Sequence, residues 1–149
     1  MGQVTLRQAT MADYDFLYNL KKAALRAYVE PIWGWDEVRQ QDLFKKKFDP
    51  AQRQIVVHDG ADIGVLSVIQ EENEIFLAGI EILPAYQGQG IGTGLIQRTL
   101  KNAFANGIPV RLQVLKNNPA IGLYERLGFA VVDELETHFL MRTEPEPLK

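Results

Sequence analysis

The stretch Gln87-Gly88-Gln89-Gly90-Ile91-Gly92 has the composition that most directly implies chemistry. It lies between an apolar run and a segment of helical periodicity. A helix N-terminus presents unpaired N–H groups and roughly half a positive charge. Glycines let the backbone approach a phosphate closely and take up positive φ angles. Place and composition suit a pyrophosphate, although the same glycines could serve only a tight turn and close packing. Two familiar phosphate loops are excluded. A mononucleotide loop ends in Gly-Lys-Ser/Thr, and no lysine follows these glycines. The dinucleotide fingerprint G-x-G-x-x-G fails from either start, because its last position is Thr93 or Leu95. The acidic residue expected about 20 positions later is also missing, since the segment around Gln113 holds no aspartate or glutamate.

Other chemistries are excluded by composition. The chain has no cysteine and two histidines, so a disulfide, a thiolate zinc site and a cysteine nucleophile are out. No histidine or glutamate spacing suggests a metal site, and no metal is expected. His58 precedes an Asp-Gly turn and reads as surface.

The elements that must position the loop follow from periodicity. Val4–Ala9 alternates as a strand. Thr10 offers a cap to a helix carrying Leu17, Leu20, Ala24 and Ala27 as far as about Tyr28, with Asp13 near its positive end. Pro31 and Gly34 interrupt that pattern. Asp36 can cap a second helix, 37–48, closed by Asp49-Pro50. Strands are expected at 54–58, 63–70 and 75–83, separated by Asp59-Gly60 and Glu71-Glu72-Asn73. Pro84 ends this run. A helix from the glycine stretch to Asn106, capped by Gly107, leads into a strand at 110–114, which implies a parallel crossover. A short helix, 119–127, closes at Gly128, and two strands follow near 129–133 and 137–142.

Two motifs carry a family resemblance. Gln87-x-x-Gly90-x-Gly92 resembles the Q/R-x-x-G-x-G/A signature of the GNAT superfamily of acyl-CoA-dependent acyltransferases. Asn118-Pro119-Ala120-Ile121-Gly122-Leu123-Tyr124-Glu125-Arg126-Leu127-Gly128-Phe129 resembles its second signature, in the same order and with a helix and a strand between. The flanking elements match the family succession β-α-α-β-β-β-α-β-α-β-β. The resemblance therefore implies one α+β domain over residues 1–143. Its sheet is mixed, mostly antiparallel and of about seven strands, with about four helices on both faces. Residues 144–149, with two prolines, would form a fraying tail. The run Tyr28–Glu37, with its Trp-Gly-Trp segment, and the ending Thr137–Met141 resemble one bacterial branch of that superfamily.

The resemblance also implies roles. Acetyl-CoA is the acyl donor, with its pyrophosphate on the backbone amides of Gln87, Gly88, Gln89, Gly90, Ile91, Gly92 and Thr93. Pantetheine lies along Ile80–Leu83, and the amide of Ile82 faces the thioester carbonyl. Tyr124 is the candidate general acid for the leaving thiolate; periodicity alone makes it a core residue beside Leu127. Asn118 contacts CoA, or caps a helix that begins at Pro119, or does both. Glu81 is the candidate base by position, against a reading as a solvated or paired carboxylate. His138 is the second candidate, against a hydrogen-bonded strand histidine. Trp33 and Trp35 sit where the family builds its acceptor site, with Glu30, Asp36 or Glu37 supplying charge; otherwise both indoles only pack the loop.

Formal net charge is -3, which speaks against a nucleic-acid partner. The N-terminus lacks the basic-then-apolar run of a signal peptide. No apolar stretch approaches the roughly 18 residues of a membrane span, so the default compartment is cytoplasmic. The expected activity is direct acetyl transfer to a primary amine, of a small molecule or a peptide, in a ternary complex. A non-catalytic acyl-CoA-binding regulator and an interaction module on the same fold are the alternatives. Dimers are frequent in the family, so a homodimer is also an expectation.

Overall fold

A computed structural model describes residues 3–145 of the chain. The expected tail lies largely outside the described residues. The strands are β1 (Val4–Gln8), β2 (Arg53–His58), β3 (Ala61–Gln70), β4 (Ile75–Ile82), β5 (Val110–Leu115), β6 (Ala130–Glu134) and β7 (His138–Thr143). The helices are α1 (Tyr14–Trp33), α2 (Glu37–Lys47), α3 (Ile91–Ala105) and α4 (Ala120–Arg126). The strands form a 7-stranded sheet in the order β1-β2-β3-β4-β5-β7-β6. Its recorded ladders are antiparallel except for β4 with β5, which is parallel. Among the described residues no helix is long and apolar enough to cross a membrane.

The chain gathers into two compact units. One takes in the chain up to Ser67 together with Gly79–Gly92; the other takes in Val68–Ala78 and the chain from Thr93 onward. The first has a core of Leu17, Tyr18 and Leu20 from α1, Phe44 from α2, Ile55 from β2 and Val65 from β3. Its entry is fixed at Thr10, whose hydroxyl accepts from Ala12 N–H at 3.2 Å, while Asp13 accepts from Thr10 N–H at 2.8 Å. This reciprocal cap, worth about 1 kcal/mol, sits on a short 3-10 turn, Met11–Asp13, that precedes α1. Arg7 holds the same carboxylate through two bonds, of 2.8 and 3.0 Å, and lowers its pKa. In the second unit Leu95, Ile96, Leu100 and Ala103 form the buried stripe of α3, while Val110, Leu112, Val114, Phe129 and Met141 are buried on the strands and at the end of α4.

One expected boundary is corrected. α1 does not stop near Tyr28; it continues through Pro31 to Trp33. A proline inside a helix removes one hydrogen bond and crowds the preceding turn, but here it falls in the last turn. Gly34, at φ 73°, closes that turn by donating its N–H to Glu30 at 2.8 Å. The Arg26–Glu30 ion pair spans the same turn.

The first unit also fixes the end of β4. β2 and β3 meet through Asp59-Gly60, both at positive φ, the geometry of a tight hairpin turn. The register then shifts between Val56, opposite Gly64, and Val57, opposite Asp62. A Cβ on Gly64 would stand 2.5 Å from the Glu81 carbonyl oxygen and 2.8 Å from Ile82 Cδ1. Only glycine lets β3 approach so closely. Leu83 N–H then donates to Ile63 at 2.8 Å.

Candidate active site

The glycine loop has the geometry that anion binding needs. Residues 87–90 are exposed and α3 begins at Ile91. Gly88 and Gly90 hold φ of 77° and 81°. Around them, and around Gly94, no atom lies within 4 Å of where a Cβ would be. The first amides of a helix have no partner inside it, and no protein acceptor for the amides of Gly90 through Thr93 is found among the described residues. Gly88 and Gln89 supply the exposed backbone of the turn before them. Gln87 differs from expectation. Its amide donates to Pro84 at 3.2 Å, closing a 3-10 turn, so it is removed from the donor set. Its side chain donates to the Ile82 carbonyl at 2.8 Å and ties the loop to the end of β4. Ile80 Cδ1 lies 3.9 Å from the Cβ position of Gly92, which seats the start of α3 against that strand.

Glu81 lies one residue before this tie. Its surface is only partly covered, yet the protein surrounds its carboxyl closely enough for burial to raise its pKa; Arg53 and Lys21 oppose that rise. A carboxylate held between desolvation and two cations can take up and release a proton above the ordinary acidic range. Neither cation stood out in the sequence. Lys21 is on α1 and Arg53 opens β2, at separations of 60 and 28 residues from Glu81, so no local pattern joins them.

The expected residues of the second signature lie together in the second unit. Asn118 Oδ1 accepts from Ala120 N–H at 2.9 Å, while α4 itself begins at Ala120 with Pro119 at its cap position. Tyr124 is half-buried, with its ring 6.0 Å from that of Phe129 and nearly edge-on to it. Its carbonyl accepts from Leu127 and Phe129, which turns the chain out of α4 through Gly128 at φ 100°. His138, at the start of β7, is half-buried, with Nδ1 2.9 Å from Thr137 Oγ1.

The tryptophan segment divides. Trp35 is committed to the scaffold: its indole N–H donates to Glu37 at 2.7 Å and Arg26 stacks 5.9 Å from its ring. Glu37 also accepts from Tyr18 and Gln41 and pairs with Lys22 at 3.0 Å. The Trp35 and Lys22 donors, in that order, bring its pKa down to about 2. Burial, followed by the bond to Glu37, pushes Tyr18 up to about 12. Glu30 is paired with Arg26 at 3.0 Å. Trp33 remains largely exposed at the end of α1. Among the described residues no group of three His, Asp or Glu side chains could hold a metal ion.

Mycothiol acetyltransferase of Streptomyces avermitilis is 35% identical over 151 residues, covering 95% of this chain and 46% of the relative. The chain thus spans about half the length of that protein. Spermidine N(1)-acetyltransferase of Escherichia coli is 28% identical, with 93% of this chain and 78% of the relative covered. The fold matches PaiA N-acetyltransferase of Thermoplasma acidophilum, solved in complex with coenzyme A, at a TM-score of 0.77 and 19% identity over 95% of this chain and 99% of that one. The sequence model of the Acetyltransferase (GNAT) family matches residues 14–129, most of the chain and both signatures, and the chain therefore belongs to that family.

Proposed function

We propose that this chain transfers the acetyl group of acetyl-CoA to an amine by direct attack while both substrates are bound. The observation that carries this reading is the open glycine loop, with Gly88, Gln89 and Gly90 exposed just ahead of the unpaired first amides of a 15-residue helix. A diphosphate is a strong acceptor, and N–H bonds to a charged oxygen are roughly twice as strong as neutral ones. The loop has room for that anion and offers donors without a side chain in the way. Asn118 is proposed as a further contact to CoA.

In the reaction the amine nitrogen bonds to the thioester carbon and gives up a proton, which Glu81 accepts. The amide of Ile82 is proposed as donor to the oxyanion so formed. The C–S bond then breaks with its electron pair on sulfur, and the Tyr124 phenol supplies a proton to the thiolate. His138 is the second candidate for the base. Exposed Trp33 is the tryptophan proposed to stack on the acceptor, since the indole N–H of Trp35 already serves Glu37. The relative named for spermidine supports an amine acceptor, either a small molecule or a peptide.

The test is calorimetry with acetyl-CoA, followed by thiol release in the presence of an amine panel. Binding with amine-dependent thiol release is expected. Binding with no release from any amine would reduce the chain to an acyl-CoA-binding domain, and no binding would remove the reading altogether.

A further inference from the structure

Acetyl transfer as drawn above uses Glu81 but not the two cations beside it. Lys21 places Nζ 5.4 Å from the centroid of Phe44, and Arg53 places Cζ 5.2 Å from the same ring and 5.4 Å from that of Phe48. Phe44 is 5% exposed, so both cations rest on a buried aromatic floor. Neither Lys21 nor Arg53 has an ion-pair partner among the described residues. The carboxylates within Coulombic range are Glu81 for both and Asp49 for Arg53, while Lys47 adds a positive charge near Lys21. Lys21 and Arg53 thus have Glu81 as their common carboxylate, and neither forms an ion pair with it. Burial lowers the pKa of both Lys21 and Arg53, the mark of cations that water solvates incompletely. Such charges are costly unless something pairs with them.

We propose that the acceptor carries a carboxylate as well as its amine, and that Lys21 and Arg53 hold the carboxylate while the amine reaches Glu81. This rests on the acetyl-transfer reading above. The planar guanidinium of Arg53 matches a carboxylate through two parallel bonds. A carboxylate would give both cations the direct partner they lack, whereas a polyamine would bring further positive charge up to them. A free amino acid and a peptide C-terminus share this chemistry.

The experiment compares matched pairs in the full chain. L-amino acids are assayed against their carboxamides, dipeptides against dipeptide amides, and spermidine is included, all by thiol release from acetyl-CoA. For the amine that reacts best, the acid form should exceed its amide in kcat/KM by roughly tenfold or more, the range of a charged hydrogen bond. Whether the best acid is free or a dipeptide identifies its source. Lys21→Met and Arg53→Met should each bring the acid-to-amide ratio close to one, and Lys21→Arg should keep it. That ratio is taken on one protein sample, so a partly misfolded variant does not distort it, and the wild-type ratio needs no variant. A wild-type preference for amides or for spermidine overturns the proposal, as does an acid preference that survives both methionine variants. Acetyl-CoA binding without turnover of any amine overturns it too, while sparing the donor site. Failure to bind acetyl-CoA overturns the reading beneath it.

Discussion

The donor loop and the surroundings of Glu81 are built on opposite plans. The loop is one contiguous segment whose chemistry is main-chain: exposed amides, two glycines at positive φ and the first turn of α3. The Glu81 cluster is made of side chains from separate elements, with Lys21 on α1, Phe44 on α2, Arg53 on β2 and Glu81 on β4. A backbone site keeps its function through many changes of side chain, provided glycine stays where φ demands it. A side-chain site can be rewritten one residue at a time without disturbing the strands beneath. On the function proposed above, the first plan serves recognition of a shared donor and the second the choice of acceptor.

Three substitutions test that division. The largest effect is expected from Glu81→Gln, which should lower kcat by roughly 100-fold or more, the usual range for a lost general base, with acetyl-CoA affinity unchanged within about twofold. The pH profile sharpens this. Glu81 must be ionised to accept a proton, and burial raises its pKa. Wild-type activity should therefore climb with pH through a value above the ordinary carboxylate range, and the climb should be absent in Glu81→Gln. A profile of unchanged shape would move the role of base to another group, with His138 first in line. Gly90→Val should act on the other side of the comparison. Its φ of 81° costs a branched residue about 1–2 kcal/mol, so acetyl-CoA affinity should fall by about tenfold by calorimetry while the ranking of amine acceptors is kept. An altered ranking would mean that the two regions are not separable. Tyr124→Phe should have the smallest effect, a fall in turnover of roughly tenfold because a thiolate leaves readily, with CoA affinity intact. Equal turnover in both forms would take Tyr124 out of the mechanism and leave it as the edge-on partner of Phe129.

The legibility of the molecule follows the same line. The strand and helix order was readable because alternation and helical periodicity are local, and the turns carried their own signals in Asp59-Gly60, Gly107 and Gly128. The end of α1 was misread because a proline in the last turn looks the same in sequence as one that breaks a helix; the Gly34–Glu30 bond settles the difference. Trp35 looked like a binding aromatic, yet its indole N–H is held by Glu37 two residues on. The amide of Gln87 looked like a phosphate donor, yet it closes the turn begun at Pro84.

The family, the order of elements and the place of the glycine loop were legible in the chain alone, because each depends on residues adjacent or one helical turn apart. Tertiary structure alone decided which cations stand beside Glu81, why Gly64 must be glycine, and which residue of the tryptophan segment stays exposed. Those outcomes depend on packing between residues tens of positions apart, and the strength of a charge there is set by how much water the surrounding elements exclude.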